Sequence, residues 1–476
     1  MTIMTHAPLK ALTAALLALG LAACAVGPDY HAPKPAEFAL ANAKLDDFST
    51  TKIEQNWWAQ LDDPALSQLI DQGLSNNNDL RVALARVNAA RAQFDVAKID
   101  QWPTVTLGAQ ATRQNQQVPG FTTDRVLTNS FQAGFDAGWE LDLWGRVANL
   151  AKGAGARADA AGYDLESARI SVVAEIGRNY YLMRGAQQRY AVALRNLKNL
   201  ESTLDITQAR VTNGQGTELD VARAKANLAN VEATLPPLET VIKLTQYRLD
   251  VLTGVMPGTQ EAQLQPANLA PISRPIPIGD ATELVKRRPD IASAERDLAA
   301  ANADVGAAMA ERFPRISVGG FLGFIASRGG ELGQASSQAW SITPSVDWPA
   351  FRMGAVNARI RANEANVDAS LARYNQTVLQ AVEETEGALV TYNRTQQRLS
   401  HLVESAQQSK RAADIARVRY KEGAADFLTL LDAERTQLSA EDAMAQAESD
   451  SYVELVAVYK ALGGGWQTPV VATASK

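Results

Sequence analysis

A single cysteine, Cys24, and three histidines are all that this 476-residue chain offers in soft or switchable metal-ligating groups. His6 lies near the N-terminus and His31 follows soon after Cys24, so no zinc-type ligand cluster can be assembled and no disulfide framework exists. Charge is nearly balanced at a formal −6, which argues against nucleic acid as a partner. Beyond residue 24 no stretch reaches 18 consecutive apolar residues, so the chain does not cross a bilayer with helices. Catalytic motifs are equally thin. Ser49-Thr50-Thr51-Lys52 matches Ser-x-x-Lys without the Ser-Asp-Asn or Lys-Thr-Gly that would give it a role, and no enzyme is expected.

What is present begins at the N-terminus. Lys10 precedes an apolar run from Ala11 to Ala23 that ends in Leu21-Ala22-Ala23-Cys24. A run this short with small residues at its end is a secretory signal, expected to span 1–23. Leu-Ala-Ala-Cys resembles the bacterial lipobox, which implies cleavage before Cys24 and covalent lipid on its thiol in place of any cofactor. Ala25 at the next position resembles the sorting pattern for the outer membrane. A multiply acylated cysteine is needed for a stable tether, because one acyl chain anchors only marginally. A Pro- and Ala-rich linker over 24–61 follows, and Asp62-Asp63-Pro64 reads as a helix start.

The rest of the chain is written twice. Asp79 pairs with Asp290 and Trp102-Pro103 with Phe313-Pro314 at a separation of 211; Phe131 pairs with Trp340, Trp139 with Trp348 and Gly214 with Gly423 at 209. The two-residue slip falls between Gln114 and Arg125, and insertions of this kind belong to loops. The first repeat is expected over 62–255, a Pro-rich junction over 256–279, the second repeat over 280–462 and a flexible tail over 463–476.

Each repeat mixes two periodicities. Val173, Ile176, Tyr180, Met183, Gln187, Tyr190, Leu194 and Leu197 step by three and four, a coiled-coil seam in a helix of about 67 residues after Gly145. Its copy runs from Val382 to Ala406. At 1.5 Å per residue each such helix reaches roughly 100 Å. Ala-rich partners are expected at Asp79 to Lys98, Glu218 to Leu252, Asp280 to Ala310 and Asp426 to Leu462. Between the helices the period becomes 2. Phe131, Ala133, Phe135, Ala137, Trp139 and Leu141 alternate with polar residues, as do Trp340, Ile342, Pro344, Val346 and Trp348. With Thr104 to Thr112 and Arg315 to Gly323, each repeat offers one hairpin, about 104–143 and about 315–349. Phe131 to Trp139 and Trp340 to Trp348 each separate aromatics by roughly 26 Å along a strand, matching the approximately 25 Å band between the aromatic girdles of a membrane barrel. Four strands cannot close a barrel, so strands that span a bilayer demand more than one copy.

These residues resemble the TolC-like outer membrane factors, in the lipoprotein branch serving RND-type multidrug efflux pumps. The most specific stretch is Arg288-Pro289-Asp290-Ile291, then Ala294-Glu295, Leu298, Ala300-Ala301, Ala303, Val305-Gly306 and Phe313-Pro314, with Asn78-Asp79-Leu80 and Trp102-Pro103 as its first-repeat counterpart. The resemblance implies a mainly α fold with a transmembrane β portion: a homotrimer whose 12-stranded barrel continues into a 12-helix periplasmic α-barrel. It implies an outer-membrane exit duct for drugs or other small molecules, working with a periplasmic adaptor and an inner-membrane RND transporter. Adaptor docking is placed at the helix tips, on Arg210, Gly214 and Thr217 in one repeat and Arg419, Gly423 and Asp426 in the other. The family's entrance gate maps onto Leu428 and Asp432, with Leu219 and Arg223 as the first-repeat copies. Asp136, Glu140, Asp142 and Asp347 fall on the polar face of the strands and are expected to line a cation-preferring lumen. A duct for protein secretion or metal ions is the near alternative; a periplasmic adaptor lipoprotein is the distant one.

Overall fold

The protein is described by a computed structural model covering residues 26–34, 40–44, 48–49, 51, 54, 56–117, 120–121, 123–267, 269, 275–279 and 287–464. Cys24, the signal and most of the tail lie outside the described residues. In chain order, β1 is Phe48–Ser49, α1 Pro64–Asn76, α2 Asn78–Ile99, β2 Thr104–Gln116, β3 Val126–Leu141 and α3 Arg146–Thr212. Next come α4 Glu218–Glu232, α5 Leu235–Leu252, β4 Ile276–Pro277, α6 Pro289–Ala310, β5 Arg315–Ala326, β6 Gln338–Asp347, α7 Met353–Lys421 and α8 Phe427–Ala461. The chain divides into two compact units, one built on 86–162 and 293–375 and the other on 35–85, 163–292 and 376–476.

The first unit holds a four-stranded antiparallel sheet in the order β2-β3-β5-β6. Its register sorts the side chains by parity. Leu107 sits opposite Phe135, Phe135 opposite Leu322 and Leu322 opposite Trp340, one apolar row across four strands. The neighbouring row carries Thr106, Asp136, Phe321 and Ser341. Among the described residues no element covers the apolar face: Leu107 is 74% exposed, Trp340 73% and Ile342 70%. The slip between repeats falls in the β2–β3 connection, since β2 and β3 pair as far as Gln116 with Val126.

The second unit is a helical bundle closed by stacked aromatics. Trp57 lies flat on Tyr459 with ring centroids 4.5 Å apart, and Tyr181 on Tyr452 at the same distance. Asp63 caps α1, accepting from the Ala65 and Leu66 N–H groups at 3.1 Å, and takes a further hydrogen bond from the Tyr180 hydroxyl at 2.7 Å. That cap ties the start of α1 to the middle of α3.

The long helix α3 has the expected 67 residues, but its seam wanders. Val173, Ile176, Tyr180, Met183 and Gln187 are buried, whereas Leu194 is 42% exposed and Val192, Asn196, Leu200, Thr203 and Thr207 are buried instead. A straight helix has 3.6 residues per turn, so a strict three-four pattern drifts around it. The expected single helix from Glu218 to Leu252 is two helices. Its chain breaks at Ala233 and Thr234, because Pro236 at the second position of α5 and Pro237 after it cannot donate to the preceding turn. The matching helix α8 has no proline and runs unbroken for 35 residues. Gly463 and Gly464 belong to the end of α8: Gly464 N–H returns to the Tyr459 carbonyl at 2.7 Å, as Val255 N–H returns to Asp250 in the first repeat.

Candidate gate at the helix tips

Each long helix reverses through the same backbone device. At the end of α3, Gly214 has φ +71 and donates to the Val211 carbonyl, while Gln215 N–H reaches the Arg210 carbonyl at 2.8 Å. At the end of α7, Gly423 has φ +76 and donates to Tyr420, while Ala424 N–H reaches Arg419 at 2.7 Å. Both are Schellman turns, which need the left-handed conformation that glycine adopts without strain. The outgoing helices are then capped. Thr217 and Asp220 form a reciprocal capping box at α4, and Asp426 accepts from Thr429 N–H at 2.7 Å at α8. That backbone donor holds the Asp426 carboxyl below its ordinary pKa.

Beneath these turns the repeats diverge. The Arg210 guanidinium lies 4.8 Å from the Tyr420 ring centroid and donates to the Tyr420 carbonyl at 2.6 Å. Tyr420 also packs edge-on against Phe427 and shares a 3.2 Å hydrogen bond with Thr207. Below them Glu434, 4% exposed, accepts from Thr203 at 2.8 Å and from Arg417 at 3.3 Å; its second oxygen has no partner. Burial raises its pKa, opposed by Thr203 and Arg417. Sequence reading passed over Tyr420, Arg417 and Glu434. Their signal was a break in the repeat: 209 residues earlier stand Val211, Gln208 and Lys225.

The four residues expected at the gate all stand clear of this core. Leu219 and Leu428 are each 57% exposed, in the first turn of their helices, and Arg223 and Asp432 are exposed one turn further on. Among the described residues neither Arg223 nor Asp432 has a side-chain partner within the chain. Leu430 and Leu431, between Leu428 and Asp432, are buried instead. The motif therefore splits by face: two leucines anchor α8 while one leucine and one acid are presented outward.

The strand residues behave differently. Trp139 donates its indole N–H to the Gln101 carbonyl at 3.1 Å, and Trp348 donates to the Arg312 carbonyl at 3.0 Å, so the repeat conserves the bond as well as the ring. A tryptophan with its apolar body exposed and its N–H satisfied suits the edge of a bilayer. Phe131 and Trp340 occupy the far end of the same face. Of the expected lumen carboxylates, Glu140 is held by Arg146 through two bonds, 2.8 and 2.7 Å, with Arg315 at 3.6 Å. Asp142 accepts from Ala148 N–H at 2.7 Å at the start of α3, Asp347 lies opposite Arg315 in the ladder, and Asp136 is exposed. Arginines thus meet Glu140 and a helix start meets Asp142. Among the described residues no group of three or more His, Cys, Asp or Glu could hold a metal, and no helix is long and apolar enough to cross a membrane.

Duplicated long helices, an amphipathic sheet with a bare apolar face and twin glycine-closed tips define a TolC-like outer-membrane channel. The chain belongs to the outer membrane efflux protein family, which it matches over residues 69–255 and 281–464. It is 32% identical over 467 residues to the outer membrane protein OprJ of Pseudomonas aeruginosa, covering 96% of each chain. Among solved structures it is similar to the outer-membrane channel OprN, with a TM-score of 0.90 at 46% identity over 94% of this chain and 100% of that one. It is similar too to the open state of the Neisseria gonorrhoeae MtrE outer membrane channel, at 0.82 and 28% over 93% and 98%. This is a family of channels, not of enzymes.

Proposed function

We propose that the protein is the exit duct of a tripartite efflux pump, a homotrimer held in the outer membrane by its strands and by lipid on Cys24. The observation that carries this reading is the sheet. Among the described residues its apolar face is uncovered and its two outer strands, β2 and β6, each have a neighbour on one side only. Exposed strand edges inside a bilayer leave backbone groups unpaired, so the sheet must close on further copies; three give twelve strands. Helices of 67 and 69 residues supply a periplasmic conduit of roughly 100 Å.

The tips carry the regulation. The two turns built on Arg210, Gly214 and Thr217 and on Arg419, Gly423 and Asp426 are the docking points for a periplasmic adaptor, which couples the duct to an inner-membrane RND transporter. Leu219, Arg223, Leu428 and Asp432 narrow the entrance until the adaptor spreads it. With Glu140 neutralised by arginines, any cation preference of the barrel rests on Asp136, Asp142 and Asp347, and a reversal potential favouring anions would contradict it. The substrates are drugs or other small molecules.

Cell fractionation tests the assignment. The protein is expected as heat-modifiable trimers in the outer membrane, with deletion of its gene lowering the resistance of the host to pump substrates. Recovery in the inner membrane, with resistance unchanged on deletion, would overturn it.

A further inference from the structure

The second repeat ends where a cavity begins. After α8 the chain turns through Gly463 and Gly464, with φ +85 and +61, and Gly464 comes to rest against α3, where a Cβ would lie 3.1 Å from the Ile170 side chain. Gly464 is one wall of a cavity of about 270 Å³ whose other walls include Trp57, Trp58, Leu74, Ile170 and Val173. A packed interior leaves few voids larger than a water molecule, so an opening of this size among aromatic side chains asks for an occupant. Its exposed lining residues are Lys460 and Arg169, the latter paired with Glu166 at 2.8 Å.

The first repeat shows how such a helix exit is held. Val255 N–H returns to the Asp250 carbonyl as Gly464 N–H returns to Tyr459. The Asp250 carboxylate, 1% exposed, then accepts from Gly258 N–H at 2.6 Å and from Gln260 N–H at 3.2 Å. A buried anion thus folds the outgoing chain back onto its helix. In the second repeat Tyr459 stands 209 residues after Asp250, offers no carboxylate and stacks instead on Trp57, a wall of the cavity. The means of holding the exit has changed from polar to aromatic. Residues 465–476 lie outside the described residues, and the first large side chain among them is Trp466.

We propose that the cavity is the seat of Trp466 of the same chain. Two residues span at most about 7 Å, so Trp466 starts within reach of a cavity that opens at Gly464. An indole suits the walls. Aromatic rings prefer offset or edge-on aromatic neighbours, which Trp57 and Trp58 supply, and a buried indole N–H needs an acceptor, which Asn56 and Glu166 supply. Seated there, Trp466 ties the end of α8 to α1 through Leu74 and to α3 through Val173, as Asp250 ties the end of α5 to its own outgoing chain. Neither the cavity nor its occupant depends on the chain forming a duct.

Photo-crosslinking in the full-length protein tests the seat. A benzophenone amino acid replaces Arg169 or, in a second variant, Glu166, both on the α3 side of the cavity, so the fold does not hang on either substitution. After irradiation and trypsin, mass spectrometry is expected to find the new bond on residues 466–471, within peptide 461–476, in protein that still runs as a single chain in denaturing gels. Adding Trp466→Ala should lower that yield at least about fivefold, whereas Trp466→Phe, which keeps an aromatic ring, should keep about half of it or more. An undiminished yield in Trp466→Ala would overturn the indole as the anchor. Covalent dimers joined through the tail would assign the cavity to a second copy. Bonds to lipid or to another protein, or no bond to the tail in protein of unchanged native mass and melting temperature, would overturn the seat altogether.

Discussion

The two helix tips are one backbone carrying two chemistries. Gly214 and Gly423 close the same turn with the same pair of hydrogen bonds, yet Val211, Leu219 and Arg223 on one side answer to Tyr420, Leu428 and Asp432 on the other. Backbone geometry was evidently the constraint that both copies had to satisfy, since a helix can be reversed in so short a turn in few ways. Side chains that do not enter that turn were free to diverge. The first tip became basic at its outward position and the second acidic and aromatic, so the tips are equivalent in shape and complementary in charge.

That contrast can be broken first at its base. Leu430 is fully buried in the cluster with Phe427 and Tyr420, whereas Leu428 is exposed two residues earlier. Leu430→Ala should cost about 2–5 kcal/mol of stability and Leu428→Ala less than about 0.5, read from denaturant midpoints. Similar losses at both positions would mean that Leu428 is buried by something outside the chain. The backbone half of the comparison predicts equality instead. Gly214→Ala and Gly423→Ala should each cost about 1–2 kcal/mol, because both force a side chain into the left-handed region. A marked difference between them would show that the two turns do not bear the same load.

The caps sharpen the comparison with pH. Thr217→Ala should cost about 1 kcal/mol. Asp426 stabilises α8 as an anion and its folded pKa lies below the ordinary value, so its contribution is present above that value and fades as pH falls through the folded pKa. Melting curves of Asp426→Asn against the parent should therefore diverge at neutral pH and converge in acid. The outward charges come next. Removing charge at Arg223 or at Asp432 is expected to raise single-channel conductance and antibiotic uptake; no change in either variant would end their assignment to the gate. The smallest effect belongs to Glu434. Its folded pKa is raised, so the folded state binds the proton more tightly and stability declines as pH rises from the ordinary carboxylate value through the folded one. Glu434→Gln should flatten that slope in a thermal melt.

Much of this was legible before any coordinates. The helix of 67 residues after Gly145, the strand faces, the twin glycine turns and the location of the insertion all followed from periodicity and from the repeat. Local rules sufficed there, because a hydrophobic period or a left-handed turn is written in neighbouring residues. The errors have equally local causes. Pro236-Pro237 should have divided the helix from Glu218 to Leu252, and Gly463-Gly464 should have read as the partner of Gly254. Other features could not have been read. Nothing in the chain announced that Arg146 and Arg315 would neutralise Glu140, or that Arg417 would lie against Glu434, since these partners meet only through folding.

The sequence by itself determined the elements, their duplication and the apolar and polar face of each strand. Those depend on alternation along the chain, which survives in any arrangement of the parts. Tertiary structure alone decided which charges are spent and which are offered. It paired Glu140 and Glu434 with arginines and left Asp136, Arg223 and Asp432 outward, because pairing depends on distances between residues tens to hundreds of positions apart. It also left both edges of the sheet without a neighbouring strand among the described residues.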